Sequence, residues 1–134
     1  MDIRHRVVAI IIRDNKLLLV KGKGYSELWN PGGKIEEGES EEETLKRELK
    51  EEINLELQSM IFFRKYLMEN AYDKYSMTET KCFLVRAEGE PRPDNEIESI
   101  IWYTKENFQK KDYPMTEENE KGLIPDLLKE GLLK

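Results

Sequence analysis

Gly33-Lys-Ile-Glu-Glu-Gly-Glu39-Ser-Glu-Glu-Glu-Thr-Leu-Lys-Arg47-Glu48-Leu49-Lys50-Glu51-Glu52-Ile53-Asn54-Leu55 reads as a glycine turn running into a helix that crowds its carboxylates. Ser40 followed by Glu43 forms a capping box, and Glu41 and Glu42 in the first turn suit the positive end of the helix dipole, so the helix is expected from about Glu41 to Ile53. Leu45, Leu49 and Ile53 recur every fourth residue and give it a core-facing stripe. Glu48, Glu51 and Glu52 are spaced i, i+3 and i+4, so three negative charges share about a third of the helix circumference. Each like-charge pair costs on the order of 0.2–0.5 kcal/mol unless a cation occupies the face. Carboxylate oxygens suit a hard divalent metal such as magnesium, which is typically held by one or two carboxylates plus water and substrate phosphates.

The segment resembles the signature of the Nudix (MutT-type) hydrolases, Gly-x5-Glu-x7-Arg-Glu-U-x-Glu-Glu-x-Gly-U, where U is aliphatic. Gly33, Glu39, Arg47, Glu48, Leu49, Glu51, Glu52 and Leu55 stand where the pattern asks, and Asn54 replaces its final glycine. That position follows the last helical residue and needs a left-handed backbone, which Asn tolerates best after Gly. The resemblance implies a single domain over residues 1–134, an α/β fold of the α/β/α sandwich type with a mixed central sheet, and metal-dependent hydrolysis of a diphosphate linkage in a nucleotide. It implies Gly33, Glu48, Glu51 and Glu52 as metal ligands, with Mg2+ the expected ion and Mn2+ an alternative. Glu51, Glu52, Arg47 and Glu96 form the expected catalytic set; Glu52 and Glu96 are the candidate bases, Glu98 is the second choice after Glu96, and Arg47 is expected to pair with Glu39. Lys34 and Tyr72 are the expected substrate contacts.

A nucleoside triphosphate, normal or oxidised, cleaved to monophosphate and pyrophosphate is the leading substrate class. A diadenosine polyphosphate, to which a tyrosine near position 72 points in some relatives, or a nucleoside diphosphate linked to another group is the alternative. A noncatalytic nucleotide sensor and a plain solvated helix face are the competing readings from other classes; the intact carboxylates and the Gly33-to-Arg47 spacing weigh against them.

The rest of the chain agrees with one compact domain. Its 134 residues suffice for a core without staples. A net charge of −6 with Lys and Glu intermixed argues against a nucleic-acid duplex or an anionic membrane as partner. The single Cys82 rules out an internal disulfide framework, and a cytoplasmic setting is expected; a homodimer is compatible. Val7 to Ile12 is too short to span a membrane and reads as a strand.

Residues 3–13 and 16–21 are expected to pair as a hairpin around Asp14-Asn15, followed by a long glycine-rich loop over 22–38. Further strands are expected at 56–67, 75–87 and from Ile97, and helix over 116–133 divided at Pro125. His5, the only histidine, reads as a packed or edge imidazole, and Trp29 and Trp102 as structural. Tyr25, Tyr72 and Tyr75 are aromatic faces on which a base can stack, with ordinary packing the preferred reading.

Overall fold

Strands that alternate between two apolar faces, rather than between core and solvent, set the architecture. In the computed structural model, which describes residues 2–69 and 77–134, β1 (Ile3–Ile10) sends Val7 and Ala9 to one core and Val8 and Ile10 to the other. β3 (Lys16–Gly22) does the same with Leu18 and Val20 against Leu17 and Leu19. Strands buried on both faces read as continuous apolar runs, as these do.

The short β2 (Ile12–Arg13), β4 (Leu28–Trp29) and β5 (Gly32–Lys34) complete the N-terminal half, with β6 (Glu56–Glu69), β7 (Met77–Glu88) and β8 (Ile97–Tyr103) following the main helix. One sheet is mixed, in the order β5-β1-β7-β6, with β1 parallel to β7 and the other pairs antiparallel. In the second, β3 pairs with β2 and β4 along one edge and β8 along the other.

α1 (Glu41–Ile53) covers the first core with Leu45, Leu49 and Ile53, all at 0% exposure. Burial of three such side chains contributes about 1.5–3 kcal/mol each, which outweighs the charge crowding on the opposite edge of the helix. The second core is covered by a π-helical turn, Glu118–Leu123, that runs into α3 (Ile124–Lys129). A short α2 (Lys105–Lys110) follows β8.

Several expectations are corrected in detail. Only Ile12 and Arg13 pair with β3, through a turn in which Asp14 (φ 52°) and Asn15 (φ 61°) are both left-handed; the bulk of the first run joins β7 and β5 in the other sheet. Segment 22–38 is not all loop, since it contains β4 and β5. The C-terminal helix begins as a π-turn at Glu118, and α2, capped reciprocally by Thr104 and Asn107, adds to the expected elements. His5 is exposed but sits on the inner strand β1, paired with Glu79 of β7, whose carboxylate lies 3.0 Å from its Nδ1. No helix among the described residues is long and apolar enough to cross a membrane.

Candidate active site

The N-terminus of α1 is built as its sequence predicts. Glu43 N–H donates to Ser40 Oγ at 3.1 Å, and Ser40 N–H donates to Glu43 Oε1 at 2.9 Å. At the other end Asn54 adopts φ 59° and ψ 35°, and its N–H bonds back to the last helical carbonyls. Its side chain adds what glycine lacks: Nδ2 donates to Arg92 O at 3.3 Å and to Asp94 Oδ2 at 3.4 Å. Asn95 Nδ2 donates to Glu51 O at 2.6 Å, and Asp94 N–H to Glu52 O at 2.9 Å. The loop that carries Glu96 is thereby fastened to the carboxylate end of α1.

Arg47 locks the glycine turn to the same helix. Its Nε and Nη2 donate to the two Glu39 oxygens at 2.7 and 2.9 Å, and Nη1 reaches Glu48 Oε1 at 2.8 Å and Glu51 Oε2 at 3.5 Å. Glu39 also accepts from Thr44 Oγ1 and from Glu36 N–H, each at 3.0 Å. The Arg47 fork, with these further donors, holds the Glu39 carboxyl down to about 2, and the Glu39 and Glu48 carboxylates raise the guanidinium in return.

Glu52 lies on the inner edge of the charged face at 3% exposure and accepts from Gly32 N–H at 3.1 Å. Burial first, and its hydrogen bond and charge repulsion with Glu48 second, push its carboxyl well above the ordinary range. Two carboxylates so placed share a proton or a cation. Gly33 leaves room for this pair, because a Cβ there would fall 2.6 Å from Glu48 Oε1. The neighbouring Gly32, at φ +145°, has no space for a side chain at all: its Cβ would lie 2.2 Å from Val7 O.

A cleft of about 480 Å³ opens on this pair. Glu48, Glu52, Gly32 and Gly33 line it, together with Glu96 and Lys34 from the expected set. Arg47 and Glu51 stand outside the lining, Glu51 with about half its side chain exposed and sharing Arg47 with Glu48. Among the described residues, no three His, Cys, Asp or Glu side chains stand together as a ready-made ligand set. Glu98 is engaged elsewhere, by Lys21 Nζ at 2.7 Å. Tyr72 and Tyr75 lie outside the described residues.

Other cleft residues escaped the sequence reading. Arg4 and Arg6 enter from one face of β1, and a period-two pair of cations at the start of an apolar strand was the available signal. Trp29, expected to be structural, also walls the cleft; it meets the Tyr25 ring edge-on at 5.5 Å and fills the space that a Cβ on Gly22 would need. Thr116 closes the far side.

Gly33→Ala provides a direct test of the cradle. The added methyl meets the flexible end of Glu48 rather than backbone, so stability should change by less than about 1 kcal/mol. Displacement of that carboxylate by about 1 Å should still lower turnover by about 10²-fold. Denaturation midpoints and steady-state rates on the same preparation check both halves.

Comparison with known proteins agrees with this geometry. The model of the NUDIX domain matches residues 3–127. An 8-oxo-dGTP diphosphatase of Buchnera aphidicola subsp. Schizaphis graminum (strain Sg) is 44% identical over 62 residues, 43% of this chain and 48% of that protein, so the chain spans about half the length of this curated relative. Among solved structures, the MutT NUDIX hydrolase of Burkholderia pseudomallei superimposes with a TM-score of 0.74 at 24% identity, over 87% of this chain and 92% of that one. The E. coli ORF135 protein does so at 0.73 and 25%, over 90% and 86%. With the glycine turn, the Glu39–Arg47 lock and the paired Glu48 and Glu52 all in place on a matching fold, the chain belongs to the NUDIX domain family.

Proposed function

We propose that the chain is a divalent-metal-dependent pyrophosphohydrolase that converts a nucleoside triphosphate to its monophosphate and pyrophosphate, with an oxidised purine triphosphate as the preferred substrate. The carrying observation is the Glu48–Glu52 pair, with Glu52 buried and Glu48 partly exposed beside a glycine cradle, held by Arg47 on one flank and Gly32 N–H on the other. Such a donor set fits a hard cation: Glu48, Glu52 and the backbone at Gly33 would hold Mg2+, or Mn2+, with Glu51 within reach of the same face. When bound, the cation neutralises phosphate oxygens and lowers the barrier to attack by water.

The chain's own residues supply the rest. Lys34, Arg4 and Arg6 bring positive charge to the cleft that faces the triphosphate. Water adds at phosphorus, its proton passes to a carboxylate, and the α–β anhydride bond breaks to release pyrophosphate. Glu52 and Glu96, both in the cleft, are the two acceptors for that proton.

Base recognition has its own support. Arg6 faces Thr80 across the β1–β7 register, and Thr80 Oγ1 together with both amide atoms of Asn119 are buried without partners among the described residues. Asn119 sits on the π-turn, its N–H 3.4 Å from the hydroxyl oxygen of Thr116 at the cleft wall. π-turns recur at functional sites. Buried polar groups require partners, so either ordered water or a ligand edge serves them. An 8-oxopurine presents an N7–H donor beside its O6 acceptor, the complement of a primary amide. The relative named as an 8-oxo-dGTP diphosphatase favours the same class.

Asn119→Ala should therefore raise KM for 8-oxo-dGTP by roughly 10- to 100-fold while leaving kcat for dGTP within about threefold. Steady-state kinetics on both substrates check this; an equal loss on the two would assign Asn119 to the scaffold instead.

A further inference from the structure

A cavity of about 740 Å³, larger than the carboxylate cleft, lies where β8 and α2 meet the π-turn. Its size falls within the range of small-molecule sites, about 300–1,000 Å³. Tyr103, 1% exposed, contributes to its lining, and the Tyr113 ring stands 6.1 Å away at 54°, with Phe108 beside them. Burial, with Asp112 and Glu120 nearby, pushes the Tyr103 phenol up to about 12, which keeps it a donor. Glu120 and Lys111 also line the cavity, and neither forms an ion pair among the described residues, whereas Lys121 is held by Glu117 at 3.3 Å. One wall is shared with the carboxylate cleft. Pro114 and Met115 line the cavity and Thr116 the cleft, and this segment pairs with Leu28, whose N–H donates to Pro114 O at 2.9 Å.

We propose that this cavity is a second nucleotide site that takes a purine nucleoside monophosphate whose ring edge carries N–H donors. The ring stacks on Tyr113 and Phe108, its donor edge meets the Glu120 carboxylate while the adjacent O6 accepts from the Tyr103 hydroxyl, and the phosphate meets Lys111. A single ligand of this chemistry satisfies an unpaired anion, an unpaired cation and a buried donor together, which an apolar ligand does not. Guanosine monophosphate is the simplest such molecule. Binding here does not require turnover at the cleft, so the two readings fail separately.

The experiment is a titration of the full chain with GMP in the presence of chelator, following the Met115 methyl resonance by NMR and assigning it with Met115→Leu. A saturable shift is expected, weakened about tenfold or more by Tyr113→Ala. Glu120→Gln should weaken GMP by a similar factor, and guanosine or inorganic phosphate alone should bind at least about tenfold more weakly than GMP. Trp29 fluorescence in a Trp102→Phe background reports the cleft independently. Saturation at Trp29 with no response at Met115 would overturn the second site and leave the proposed reaction standing. A Met115 response that Tyr113→Ala and Glu120→Gln leave at wild-type affinity would overturn it as well.

Discussion

Glu52→Gln is expected to lower turnover by at least about 10²–10³-fold while the protein stays folded. Glutamine keeps an oxygen for Gly32 N–H and offers an amide donor to Glu48, so the buried contacts survive and the like-charge conflict disappears. On the proposed function, what is lost is the negative charge that would hold a cation and accept a proton.

The same substitution has a signature in pH. Folded Glu52 has a raised pKa, so the folded state binds more protons than the unfolded one above the ordinary value of 4.5. The stability that Glu52 contributes without metal should accordingly be fully present at or below that value and be lost as pH rises through the raised pKa. Glu52→Gln should remove this slope, and a divalent cation at neutral pH should restore stability to the wild-type protein by occupying the pair. Chemical denaturation across the pH range, with chelator and with Mg2+, measures all three.

Arg47→Lys is the second large effect. Lysine keeps the charge but cannot offer a planar fork to both Glu39 oxygens while also meeting Glu48. Loss of these charge-assisted bonds should lower the thermal midpoint by roughly 5 °C or more, and the freed glycine turn should carry Gly33 off Glu48, with turnover falling about 10²-fold. Glu39, held down to about 2 by this contact, contributes stability that is present above 4.5 and lost as pH falls through about 2. The Arg47→Lys protein should lose that acid resistance first. A midpoint that does not move would show that the turn is held by Thr44 and the Glu36 N–H alone.

The contrast between α1 and its surroundings explains what the sequence could reveal. α1 is specified locally: a reciprocal cap, a stripe every fourth residue and a tolerant residue at the left-handed position all agree, and all are found. The Glu39–Arg47 contact is also short-range and follows from the turn-helix register. The partner of β1 is not local. Ile3 pairs with Met77, and nothing in the apolar run distinguishes that parallel neighbour from the β3 hairpin next to it in sequence.

Arg4 and Arg6 were hidden for a related reason, since cations at the start of a strand look like solvated ends until β7 is laid beside them. α2 begins with Thr104 and Asn107, where the usual capping partner is Glu or Gln, and so gave a weaker signal. Asn119 lies among the polar Thr116, Glu117, Glu118 and Glu120, with no apolar neighbour in that turn to mark it as buried. The π-turn instead buries it at 1% exposure, and Gly122 packs so closely on Tyr66 that a Cβ there would lie 2.9 Å from the ring.

The most direct test is pyrophosphate release from 8-oxo-dGTP, dGTP, ADP-ribose and a diadenosine polyphosphate, measured with Mg2+ and with chelator, for the wild-type and Glu52→Gln proteins. The proposed function requires metal-dependent release of pyrophosphate and monophosphate from a nucleoside triphosphate, fastest for the oxidised purine and absent in chelator and in Glu52→Gln. Nucleotide binding without cleavage of any substrate in the presence of Mg2+, or cleavage that persists undiminished in Glu52→Gln, would contradict it.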